Sequence, residues 1–140
     1  MTLAGTADFV AGCSMTNGDT VNFTPKGWRT ITPRIVARDA RSLVEFVKHV
    51  FDATGDYRDG APTVLSVGDS MIMISDVEVR GPTPAFLYVY VCDADETYRL
   101  AVSAGAVSVE EPRNLPYGDR RAMIEDKWGN IWQIATPNTG

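Results

Sequence analysis

The sequence predicts an α+β fold in which one unit, a strand, a helix and then further strands, occurs twice in tandem. Three observations carry this. Each helix-like stretch begins at an Asp-Ala pair, Asp39-Ala40 and Asp93-Ala94. Each is preceded by a β-branched or aromatic run and followed by hairpin signals. Residues 79–84 (VRGPTP) form a Gly/Pro linker between the two copies.

Taken in order, residues 1–28 are an N-terminal arm with no sustained period. Turn signals stand at Asn17-Gly18 and Pro25-Lys26-Gly27, with a short strand around residues 20–23. A tail without fixed structure or an arm packed on a partner subunit both fit this stretch. Residues 30–38 (TITPRIVAR) read as a strand, with Pro33 placed where no ladder donor is needed. Asp39 caps a helix whose apolar stripe is Leu43, Val44, Phe46, Val47, Val50 and Phe51. Residues 56–60 are turn-like, with a short strand at their start. Residues 62–67 and 70–75 form a hairpin around Gly68-Asp69. The second copy has a strand at 85–91 and a helix capped by Asp93 or Asp95 and stopped by Gly105. A strand at 106–110 and a loop at 112–116 follow. The closing hairpin, 122–125 and 131–135, turns at Trp128-Gly129-Asn130. Matching last strand to last strand puts Met73 opposite Gln133.

Composition excludes several classes. The chain has 140 residues, with 44% apolar and 22% charged side chains, which suits one globular domain. A net charge of -5 argues against binding a nucleic-acid backbone, although Arg113, Arg120 and Arg121 offer a local basic patch. No apolar run is long enough for a membrane helix. Two cysteines, Cys13 and Cys92, are too few for a disulfide framework and read as reduced thiols of a cytoplasmic protein. Val10-Ala11-Gly12-Cys13 has the look of a lipid-attachment signal. Residues 1–9 hold no Lys or Arg, and Asp8 interrupts the apolar segment, so that reading is rejected. Cys92 reads as a buried or half-buried structural thiol, and His49, the one histidine, as a partly exposed helix residue. No nucleophile–histidine pair and no phosphate loop is legible, because Gly118 and Gly129 are isolated turn glycines. Asp119 and Asp126 read as turn residues.

The order βαβββ–βαβββ, with Asp126-Lys127-Trp128-Gly129-Asn130-Ile131-Trp132-Gln133 before the C-terminus, resembles the vicinal oxygen chelate superfamily. This is the fold of glyoxalases, bleomycin-resistance proteins and extradiol dioxygenases. Ile31-Thr32-Pro33, Phe46, Ala53, the Asp93 cap, Ala104-Gly105-Ala106 and Tyr117-Gly118-Asp119-Arg120 are similar to its PhnB-like branch. The resemblance covers residues 29–136 as one domain, with modules 29–80 and 84–136. It implies that the pair of modules forms a cupped half-barrel with helices outside.

In such a cup, alternation turns Thr32, Arg34 and Val36 inward from the first strand. Met71 and Met73 face in from the hairpin, Phe86, Tyr88 and Tyr90 from the fifth run, and Ile131, Gln133 and Ala135 from the last. Metal-using relatives carry His, Glu or Gln ligands on the first and last strand of each module. The resemblance places those four positions at Thr32, Met73, Phe86 and Gln133. Met and Phe offer nothing to a divalent ion, Thr is a poor donor, and one Gln is not a site. The expectation is therefore no cofactor, no metal and no catalytic residue. The expected activity is binding of a hydrophobic or planar small molecule, such as an antibiotic or a natural-product intermediate. The expected ligand residues are Thr32, Arg34, Met71, Met73, Phe86, Tyr88, Tyr90, Ile131 and Gln133. By resemblance to drug-sequestering relatives, the protein is expected to be a homodimer that binds no nucleic acid and no membrane. The alternative is a metal-independent lyase or isomerase, with Tyr88 or Tyr90 and Arg34 polarising a carbonyl and Glu125 taking a proton.

Overall fold

The computed structural model describes residues 12–14 and 20–138. The arm supplies a small antiparallel pair, β1 (Gly12–Ser14) and β2 (Thr20–Asn22). The first module is β3 (Arg34–Ala37), α1 (Ala40–Phe51), β4 (Thr63–Val67) and β5 (Ser70–Asp76). The second is β6 (Phe86–Tyr90), α2 (Ala94–Ser103), β7 (Val107–Asn114), β8 (Asp119–Glu125) and β9 (Ile131–Pro137). The sheets run β3–β5–β4 and β6–β9–β8–β7, each with a parallel pair between its first and last strand. This is the tandem α+β architecture read from the sequence, with one asymmetry. The strand after α1 is reduced to a single bridge, Thr54 with Ser66, where the second module has all of β7.

Both helix starts are built alike. Asp39 accepts from the Ser42 amide, and Asp93 accepts from the Glu96 amide. Behind each cap, a residue from the module's own last strand takes the first helical amide. Asp76 accepts from Ala40 N at 2.9 Å, and Thr136 Oγ1 accepts from Ala94 N at 2.8 Å. Asp76 and Thr136 are thus equivalent, and Met73 and Gln133, three residues earlier in each strand, are equivalent too. The parallel registers agree, with Arg34 beside Met73 and Tyr88 beside Gln133.

The core lies between the sheets and the helices. Ile35, Leu65, Ile72 and Ile74 of the first sheet and Ile124, Trp132 and Ile134 of the second are buried with the α1 stripe. Phe51 meets Trp132 with ring centroids 4.8 Å apart, and Phe46 meets Trp128 at 5.9 Å. These pairs join the two modules. The hairpin tip is fixed by Asp126. Its carboxylate accepts from the amides of Trp128 and Asn130, the Asn130 side chain and Trp132 Nε1, the last at 2.8 Å. Asn130 Oδ1 in turn accepts from Ala85 N, fixing the start of β6. Asp126 is thus turn chemistry, as expected.

Several boundaries differ from the sequence reading. β3 begins only at Arg34, because Pro33 cannot donate, although its carbonyl still accepts from Met73 N at 2.9 Å. Thr32 therefore lies before the strand. β7 runs on through Pro112 to Asn114, over residues read as a loop, because two register shifts accommodate the proline. β8 starts at Asp119, not 122. Cys92 is exposed, not buried, because it lies past the end of β6, which stops at Tyr90. Cys13 and the lipid-signal residues before it fall in or next to the arm, and Val10 and Ala11 lie outside the described residues.

Candidate functional site

Strand registers define the surface opposite the helices. On the second sheet one row reads Phe86, Ile131, Glu125, Val107. The next reads Tyr88, Gln133, Met123, Glu110, and the third Tyr90, Ala135, Arg121, Arg113. Leu87, Val89, Trp132 and Ile134 take the other face, toward α2, because side chains alternate. Phe86 is 67% exposed and Tyr90 60%, a large aromatic surface left uncovered within one chain. On the first sheet the corresponding face carries Arg34 beside Met73 and Val64, and Met71 beside Ser66. Arg34 Nε donates to Ser75 Oγ at 3.1 Å, and Ser66 Oγ donates to Met71 Sδ at 3.1 Å.

The nine residues singled out from the sequence therefore fall into two clusters. Thr32, Arg34, Met71 and Met73 belong to the first sheet. Phe86, Tyr88, Tyr90, Ile131 and Gln133 belong to the second, on directly paired strands. A cleft of about 380 Å³ lies on the first-sheet side, lined by Thr32 and Met73 together with arm residues that include Phe23 and Trp28.

Sequence reasoning missed a polar network on the second face. Asp119 is 9% exposed and sits in β8, not in a turn. Its Oδ2 accepts from the Tyr88 hydroxyl at 2.6 Å and the Tyr90 hydroxyl at 2.9 Å. Arg121 donates to Glu110 Oε1 at 2.8 Å and to the Tyr117 hydroxyl at 3.3 Å. Burial, together with the hydrogen bonds to Asp119 and Tyr117, pushes the Tyr88 phenol far above its ordinary range. The Asp119 hydrogen bond also raises the Tyr90 phenol above its ordinary value. Arg121, with lesser help from Arg113, holds the Glu110 carboxyl below the usual range. At neutral pH the phenols are protonated donors and Glu110 is an anion. A signal for the network did exist. Asp119, Arg121, Met123 and Glu125 alternate, but beginning the strand at 122 concealed the first two. Arg34 lies on the other sheet, and the Tyr88 and Tyr90 hydroxyls turn to Asp119 instead.

Residues 30–134 match the profile of the Glyoxalase/Bleomycin resistance protein/Dioxygenase superfamily. The chain belongs to this family. The uncharacterized protein Rv0887c of Mycobacterium tuberculosis (strain ATCC 25618 / H37Rv) is 26% identical over 140 residues, covering 86% of this chain and 80% of the relative. Among solved structures, TioX from Micromonospora sp. ML1 superposes with a TM-score of 0.65 at 22% identity, over 76% of this chain and 97% of its own. The fosfomycin resistance protein FosX from Mesorhizobium loti gives 0.60 at 18% identity, over 78% and 92%. These structures are similar in fold.

Members of this family that use a metal hold it in the cup. The equivalences established by the helix starts put Thr32 with Phe86 and Met73 with Gln133. Phe86 presents a phenyl ring, and Met73 a thioether beside Arg34, a cation. Among the described residues no three His, Cys, Asp or Glu side chains converge. This donor set does not fit a divalent ion.

Proposed function

We propose that this protein is a small-molecule-binding member of the family, holding a planar or hydrophobic ligand such as an antibiotic or a natural-product intermediate. It belongs by resemblance to the PhnB-like branch and works as a cytoplasmic homodimer. The observation that supports this is the composition of the surface opposite the helices. Phe86, Tyr88 and Tyr90 on one sheet and Met71 and Met73 on the other present apolar area, bordered on the second sheet by the Asp119, Arg121 and Glu110 network, and apolar walls beside placed polar groups are the make-up of ligand sites. Sequestration needs no catalytic group, only stacking, burial and one or two hydrogen bonds. The shared fold with a fosfomycin resistance protein is consistent with this role. No helix among the described residues is long and apolar enough to cross a membrane.

A thermal-shift screen against intercalating and peptide antibiotics tests the reading. A ligand at 100 times its dissociation constant adds about 2.7 kcal/mol. Absence of any shift across such a library would overturn it. Native mass spectrometry of freshly purified protein reports dimer, carried-over ligand and any bound ion in one measurement.

The second reading, a metal-independent enzyme, draws on Asp119 and its two phenols, a set of protonated donors beside a carboxylate. Turnover of any bound ligand into a new species, seen by mass spectrometry, separates this reading from sequestration.

A further inference from the structure

We infer that the N-terminal arm, which precedes the family-matched residues 30–134, builds the seat of the ligand, and that this seat takes a flat aromatic molecule, neutral or singly anionic. This rests on the reading of the chain as a small-molecule binder, and it places the ligand at the arm and Met73, away from the Phe86, Tyr88 and Tyr90 face.

Residues 23–29 do not run free of the domain. The chain turns at residues 25–28, where Trp28 N donates to Pro25 O at 3.0 Å. Arg29 then reaches Asp69 at the tip of the β4–β5 hairpin, 3.5 Å away. Held by this ion pair, residues 23–29 flank the first sheet on the side carrying Met73. Between them lies the cleft of about 380 Å³, within the size range of small-molecule sites. Phe23, Pro25 and Trp28 wall it from the arm, and Thr32 and Met73 from the domain. Two aromatic rings and a thioether favour a flat apolar guest over a sugar or a polyphosphate.

The polar points refine the class. Thr24 Oγ1 is buried against the cleft and has no hydrogen-bond partner among the described residues. A buried hydroxyl left unpaired is costly, and a turn of its rotamer toward the cleft would let a carbonyl or carboxylate on a guest accept from it. The lining includes one cation, Arg29, and no carboxylate. A cationic guest would therefore meet no counter-charge in the lining, although the whole chain has a net charge of -5. The second sheet, with Asp119 and Glu110, is a different surface and contributes nothing to this lining.

The test is calorimetric titration of the full chain with 2-naphthoate, a planar singly charged aromatic acid, alongside tryptophan fluorescence. The chain holds three tryptophans, of which Trp132 is buried. Trp28→Phe therefore assigns any quenching. The expected result is sub-millimolar binding that quenches Trp28, is weakened about tenfold or more by Trp28→Ala, and is largely retained in Trp28→Phe. Val102→Ala, on the exposed side of α2 and outside both sheet faces, should leave the affinity within about twofold. Thermal unfolding of each variant confirms that it is folded. Binding that survives Trp28→Ala but is lost in Phe86→Ala would overturn the arm seat and leave the binding reading intact. No binding of 2-naphthoate at millimolar concentration would overturn the arm seat, and the binding reading then stands or falls on the antibiotic screen.

Discussion

Asp119 holds two phenol protons on one carboxylate oxygen, and this gives the protein an alkaline signature. A phenol whose folded pKa is raised contributes stability that is fully present below its unfolded value, about 10, and is lost as pH rises through the folded value. Tyr88 and Tyr90 are both raised. The melting temperature should therefore fall as pH climbs past about 10. In Asp119→Asn the fall should be shallower, and the Tyr90 phenol should titrate closer to its ordinary value by ultraviolet absorbance. Equal slopes in the two proteins would show that Asp119 does not set these phenols. Asp126 makes a second prediction. Its 5% exposed carboxylate satisfies Asn130 and Trp132, both buried. Asp126→Ala leaves those donors unpaired and should cost about 2–4 kcal/mol in urea unfolding. The Asp-x-x-x-Asn-x-Trp spacing of this network is legible in the sequence because all its members lie within one turn. The Asp119 network spans three strands, and the alternation from Asp119 to Glu125 reveals only the part of it on β8.

At the scale of elements, the tight junction after α1 is the most exacting. Gly55 has φ 134°, and a Cβ there would stand 2.5 Å from the carbonyl oxygen of Val64 and 2.9 Å from Leu65 Cδ2. Gly55→Ala should cost about 2 kcal/mol or more. Gly81 faces open space, so Gly81→Ala should leave the melting temperature unchanged within error. Helix caps, the α1 stripe and the Gly68-Asp69 hairpin were readable because each is short-range chemistry. Gly68 has φ 59° with no positive φ at Asp69, the pattern of a type II′ turn. The extent of β7 was not readable, because its continuation past Pro112 depends on bulges that only pairing with β8 creates. The arm was unreadable for a related reason. Its aromatic residues have no period, and their role comes from a surface more than forty residues further along the chain.

For the molecule as a whole, the exposed rings of Phe86 and Tyr90 suit the proposed homodimer. Light scattering should give a mass of twice 15.3 kDa, and a monomer at working concentration would remove the dimer from the proposal. Phe51→Ala tests how far the modules depend on each other. Phe51 is buried against Trp132 across the module boundary, and its truncation should lower stability by about 3–5 kcal/mol in one cooperative transition. Two separate transitions would mean that the modules fold independently. The tandem architecture was visible in the sequence because both copies repeat the same cap. The division of the nine candidate residues into two clusters was not, since alternation assigns a face but not what lies opposite it.

The single bridge at Thr54 has a further meaning. An outer strand with free amides invites neighbouring molecules to add strands without limit. The first sheet shortens this border. Only Thr54 pairs with β4, and Asp56, Arg58 and Asp59 follow directly. The second sheet keeps a full strand at the same place but interrupts it. β7 carries two register shifts, Pro112 and charges at Glu110, Glu111 and Arg113. The two copies thus reach one end by opposite routes, and fibrillar growth through these borders is discouraged in both. Such a protein can expose apolar faces at high concentration without open-ended strand addition.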